Sequence, residues 1–134
     1  MRLTNHSGSG SCFSEGVVTY SNEAKINWLG VPAEIIATQG AVSAPCAEAM
    51  AAGMLERSGA DHAISITGIA GPLGGSDDKP VGTVFLGYAG PTGVKSMKIF
   101  LPGDRDLIRW RSSQAALDYL RHQLMKTNLA SARH

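Results

Sequence analysis

Apolar positions along this chain repeat with two different periods, and the change from one to the other outlines its elements. From Ala44 to about Arg57, the residues Ala47, Met50, Ala51, Met54 and Leu55 recur three or four places apart, as on one face of an α-helix. Ser43 stands at the N-cap position, Pro45 falls in the first turn, and Gly59 supplies the stop. Two shorter helices precede it. One runs from Asn22 to Leu29, capped by Ser21 and ended by Gly30; the other runs from Ala33 to Thr38, opened by Pro32 and closed by Gly40. Behind Asp104, Leu107, Ile108, Ala115, Leu117, Leu120 and Leu124 predict a final helix, and the polar residues beyond Met125 predict a frayed tail over 126–134.

Between these lie short runs rich in β-branched residues. Gly16-Val17-Val18-Thr19-Tyr20 and Ala63-Ile64-Ser65-Ile66 read as strands, as does Val81 to Tyr88. The turn Pro91-Thr92-Gly93 then returns Val94 to Leu101 as an antiparallel partner. Helices between strands, with a hairpin late in the chain, predict a layered α/β/α domain with a mixed sheet. No repeat and no interdomain linker is visible. His6-Ser7-Gly8-Ser9-Gly10-Ser11 reads either as a natural glycine-serine loop or as a linker-like insertion.

Composition narrows the function classes. A chain of 134 residues with 43% hydrophobic and 17% charged residues fits one globular domain with a real core. A formal net charge of +1 gives no electrostatic reason to expect nucleic acid or a membrane surface as partner. Aromatics, at 6%, are too sparse for a base-stacking platform. No apolar run approaches the ~20 residues needed to cross a bilayer, and the polar, small residues from Met1 to Ser11 do not form a signal peptide. A cytoplasmic location is the default expectation. Cys12 and Cys46 are far apart, and His6, His62, His122 and His134 are scattered, so neither a disulfide framework nor a metal site is expected.

The run Thr67-Gly68-Ile69-Ala70-Gly71-Pro72-Leu73-Gly74-Gly75 follows directly on a predicted strand. Glycines there let backbone N–H groups approach an anionic or carbonyl-bearing ligand, although a plain flexible connection has the same composition. A strand follows the run, and neither G-x-G-x-x-G nor G-x-x-x-x-G-K-[ST] is present, which excludes the dinucleotide and P-loop motifs. Tyr20 ends a predicted strand and Lys25 lies five residues on, so a turn between them would bring phenol and amine to one side. A lysine in such a pair can serve as base for a serine nucleophile; a strand-end tyrosine and a solvated lysine are the structural alternative. Arg105 opens the last helix after Pro102-Gly103-Asp104, a good place for a phosphate, and Arg109 lies one turn on. A solvated helix face is the alternative for these arginines and for Arg111. Lys79-Pro80 reads as a turn before a strand.

Taken in order, these blocks match a family pattern. Gly16-Val17-Val18-Thr19-Tyr20-Ser21-Asn22-Glu23-Ala24-Lys25, Leu29-Gly30-Val31-Pro32, Gly40-Ala41-Val42-Ser43, Thr67 to Gly75, Lys79-Pro80-Val81-Gly82-Thr83-Val84 and Pro102-Gly103-Asp104-Arg105 occur as one series. From about Arg2 to about Leu124 the chain resembles the CinA C-terminal domain family, the PncC-type nicotinamide-nucleotide amidases. The resemblance implies one α/β domain over 1–125 that hydrolyses the carboxamide of nicotinamide mononucleotide to nicotinate mononucleotide and ammonia, without metal or cofactor. It implies catalytic roles for Lys25 and Tyr20 beside a serine nucleophile. It further implies a substrate cradle at Thr67, Gly68, Gly71, Gly74 and Gly75, with Arg105 toward the phosphate. One departure stands out. The family's serine lies in an A-E-S-C-T-G-G-type motif upstream of the point where Arg2-Leu3-Thr4 joins the pattern, and no S-C-T-G-G occurs in this chain. Ser7, Ser9 and Ser11 fall in what should be the following loop, so none is expected to replace a preorganised nucleophile. The family's first strand and much of its first helix are accordingly expected to be missing, leaving apolar sheet surface that favours a homo-oligomer.

Overall fold

The computed structural model describes residues 3–132. After two short 3-10 turns at Leu3–Asn5 and Ser9–Ser11 come helices α1 (Asn22–Leu29), α2 (Ala33–Gln39) and α3 (Ala44–Ser58). Strands β1 (Ala63–Gly68), β2 (Thr83–Gly90) and β3 (Gly93–Phe100) follow, and helix α4 (Arg105–Ala132) ends the fold. The predicted caps act as such. The hydroxyls of Ser21 and Ser43 accept from the backbone N–H groups of Ala24 and Cys46, and Asp104 Oδ1 accepts from that of Leu107. Each satisfies a donor that a helix start leaves without an internal partner.

The three strands form one sheet in the order β1-β2-β3. Alternation along the strands divides its two faces. Ile64, Val84, Leu86, Tyr88 and Ile99 point toward α4, where Ile108, Ala116 and Tyr119 close the larger apolar cluster. On the opposite face Ser65 and Thr67 point toward α3; the Ser65 hydroxyl donates to Ala47 O at 2.6 Å. Beyond α3, a second cluster of Leu29, Val31, Cys46 and Met50 joins it to α1. The α/β/α layering is therefore realised, with one helix layer on each face.

Four details depart from the sequence expectation. The described sheet is antiparallel throughout rather than mixed, because the β1–β2 connection is a loop without a helix and cannot carry the chain back for a parallel pairing. Gly16 to Tyr20 lies outside any strand ladder among the described residues, and Val18 is 91% exposed. Composition predicted a strand there, but a strand exists only where a neighbour supplies the hydrogen bonds. The third strand of the prediction begins at Thr83, since Gly82, with φ 101°, turns beneath Leu101. Finally, α4 continues past Met125 to Ala132, beyond the expected point of fraying.

Candidate functional site

Lys25 sits one turn into α1 and is only 8% exposed. Burying an ammonium group is costly unless it is hydrogen-bonded, and its Nζ donates to Thr19 O at 2.7 Å. An ammonium has three donors, so this contact leaves capacity for a ligand. Cys46, fully buried in the first turn of α3, lies within electrostatic reach of Lys25: burial pushes the thiol up from its ordinary value, and the lysine charge pulls it partly back. Lys25 is thus carried on α1, which packs against α3 through Leu29, Cys46 and Met50. Tyr20 does not share this environment. It is 86% exposed, and no hydrogen bond joins it to Lys25 among the described residues.

Because the thiolate is the reactive form of cysteine, the upward shift and burial of Cys46 give a direct expectation. Iodoacetamide applied to the native protein near neutral pH should modify exposed Cys12 and spare Cys46, while both react after denaturation. Mass spectrometry of the two digests checks this.

The glycine loop extends from the β1–β2 pair. Two backbone bonds form its neck: Ile69 N–H to Thr83 O at 2.9 Å and Gly82 N–H to Ile69 O at 2.8 Å. From there the loop folds back onto Val81. A Cβ at Gly71 would come within 2.5 Å of Val81 Cγ1, and one at Gly75 within 2.8 Å of the Val81 backbone nitrogen. Gly71 also takes φ 80°, which side chains rarely adopt. Glycine is thus required at both places for compactness, and at Gly71 for turning as well. Gly74, with φ 96°, is exposed on the loop, and Gly68 packs against Val84 at the end of β1.

Thr67 is buried, and its hydroxyl donates to Ala41 O at 2.7 Å, so it holds the turn between α2 and α3. Ser43 Oγ donates to Gly40 O in the same turn, at 2.7 Å. Arg105 reaches the loop from the first turn of α4, its Nη1 donating to Gly71 O at 2.9 Å. The fold thus brings Arg105 to the glycines and Thr67 to the turn that starts α3. Arg109 is exposed, and Arg111 bonds Pro102 O, away from the loop.

Sequence reasoning gave no role to Lys79, whose Nζ donates to Gln39 O at 2.9 Å across a separation of 40 residues. Its place in the Lys79-Pro80 block of the matched series was the available signal. Cys46 beside Lys25 had none, since only the packing of α1 on α3 makes them neighbours. Among the described residues no three His, Cys, Asp or Glu side chains gather as metal ligands, and no helix is long and apolar enough to cross a membrane.

Comparison with known proteins agrees with this architecture. The family model for the CinA C-terminal domain matches residues 1–124. A CinA-like protein of Geotalea daltonii is 52% identical over 124 residues; the match covers 92% of this chain and 30% of that protein, so the chain spans under a third of that relative's length. Among solved structures, the competence/damage inducible protein CihA of Agrobacterium tumefaciens is 43% identical with a TM-score of 0.86, over 90% of this chain and 74% of that one. The competence damage-inducible protein A of Klebsiella pneumoniae gives 36% and 0.87, over 92% and 76%.

Proposed function

Since the chain belongs to the CinA C-terminal domain family, we propose that it forms the base-and-cradle part of a nicotinamide mononucleotide amidohydrolase. The single observation that carries this reading is Lys25: a buried lysine, held by one backbone carbonyl, on the helix that packs against α3. In the proposed reaction Lys25 acts as the neutral amine, having first given up a proton to solvent, and takes the proton of a serine hydroxyl as the oxygen attacks the carboxamide carbon. The proton then passes to the departing nitrogen, ammonia leaves, and water hydrolyses the acyl-serine to nicotinate mononucleotide. Tyr20, which is exposed to solvent, is assigned to meet the bound substrate. The N–H groups of the Gly71–Gly75 loop and the Arg105 guanidinium receive the phosphate. The serine belongs to the S-C-T-G-G-type segment that this chain does not contain, so activity requires that segment.

The test is ammonia release from nicotinamide mononucleotide by the chain joined in frame to such a segment. Turnover supports the reading; binding without ammonia in that form would replace it with a nucleotide-binding module. Arg105→Ala should raise KM about 10–100-fold while leaving kcat within a few-fold, because a charged contact to the phosphate serves ground state and transition state alike. Steady-state kinetics at saturating and limiting substrate separate the two parameters.

A further inference from the structure

We infer that Lys79 is a positioning residue that selects the phosphorylated substrate by fastening the far end of the glycine loop to helix α2. The inference rests on the proposed assignment of that loop to the phosphate. Residues 69–82 form an excursion whose neck is closed at Ile69, Gly82 and Thr83, leaving the tip to be held by other means. One side of the tip is held by Arg105, through Gly71 O. The other side is a small turn in which Ser76 N–H donates to Lys79 O at 2.9 Å and Ser76 Oγ accepts from Lys79 N–H at 3.1 Å. Lys79 is the residue of that turn that leaves the loop, and its ammonium ends on the carbonyl of Gln39, the last residue of α2.

Physical chemistry favours this anchor. The last carbonyls of a helix lack internal partners and carry the negative end of its dipole, so a cation there is stabilised. Gln39 also adjoins the turn whose Gly40 and Ala41 carbonyls are held by Ser43 and Thr67. Lys79 therefore ties the loop to the same short turn that starts α3. With Arg105 on one side and Lys79 on the other, the exposed Gly74 and Gly75 between them are held in one conformation. Binding an anion to N–H groups on a loop costs less when that loop is ordered beforehand. Only the phosphate end of the ligand draws on this order, so its loss should be felt by the nucleotide and not by the nucleoside.

The experiment is calorimetric titration of the 134-residue chain, as wild type, Lys79→Met and Lys79→Arg, with nicotinamide mononucleotide and with nicotinamide riboside, alongside thermal denaturation. Lys79→Met should weaken the nucleotide about tenfold, the scale of one lost hydrogen bond to a charged group, and the riboside less than about twofold. Lys79→Arg, which can still reach Gln39 O, should restore most of the preference. Equal weakening of both ligands, or no change in either, overturns the inference, as does a wild type that binds neither. If the preference falls as expected but the serine-bearing form releases no ammonia, the amidohydrolase reading fails and the role of Lys79 stands.

Discussion

Lys25→Met is expected to lower ammonia release from nicotinamide mononucleotide by ~10³-fold in the serine-bearing form, within the range that a positioned general base contributes. Methionine approximates the length of the lysine stem but can neither accept nor donate the proton. The substitution should leave the fold largely intact because two effects oppose each other. Thr19 O loses its donor, which costs roughly 1–3 kcal/mol if the carbonyl stays dry. Against that, α1 no longer has to bury an ammonium, and replacing a buried charge by an apolar side chain of similar size is often neutral. Melting temperature should therefore move by only a few degrees, and calorimetric affinity for the nucleotide should persist. The assay that matters is single-turnover ammonia release. Appreciable turnover by Lys25→Met would remove the lysine from the mechanism, whereas loss of activity accompanied by unfolding would leave the question to Lys25→Gln, which keeps a donor for Thr19 O.

The second large effect concerns stability, and its sign is opposite to the usual rule. Gly53 lies in the interior of α3, where alanine normally improves a helix by about 1 kcal/mol. Here a Cβ would overlap the carbonyl oxygen of Leu29 and come within 2.8 Å of its carbonyl carbon. Leu29 is the last residue of α1, and both obstructing atoms belong to its backbone, so no rotamer change relieves the overlap. Gly53→Ala must push α1 away from α3 and open the cluster of Leu29, Val31, Cys46 and Met50. Overpacking costs typically 1–3 kcal/mol, so a loss near the top of that range, or a fall in melting temperature on the order of 10 °C, is expected. Differential scanning calorimetry measures it directly, and a rise in melting temperature would show that α1 does not approach α3 at this point. The same displacement moves Lys25, so activity below the new melting temperature should fall as well.

Much of this molecule is legible in one dimension because the signals concerned are local. The caps Ser21, Ser43 and Asp104 act within three residues of themselves, and their helices begin where those residues predict. Strand Ala63–Gly68, the hairpin of Thr83–Gly90 with Gly93–Phe100, and the two-faced layering follow from alternation and turn chemistry. The segment Gly16 to Tyr20 shows the limit of such reasoning. Its composition suits a strand, yet pairing belongs to the neighbour as much as to the residues themselves, and in the described structure it stays unpaired. Residues of the candidate site divide along the same line. The glycine loop was visible as a string of glycines after a strand. That Gly71 and Gly75 press on Val81, that Arg105 grips the loop at Gly71 O, and that Thr67 turns inward to Ala41 were not.

By itself the sequence determined the family, the layered class, the order of the elements from α1 onward, and the stretch that the proposed cradle occupies. Each depends on periodicity, capping or a run of residues, interactions whose range along the chain is a few positions. Tertiary structure alone decided that the sheet is antiparallel and that Lys25 is buried beside Cys46, 21 positions on, while Tyr20 remains in solvent. It alone decided that Lys79 reaches the end of α2. Burial, electrostatic neighbourhood and hydrogen bonds across 40 residues arise from how elements pack against one another, and no local pattern encodes which distant backbone carbonyl a lysine will find.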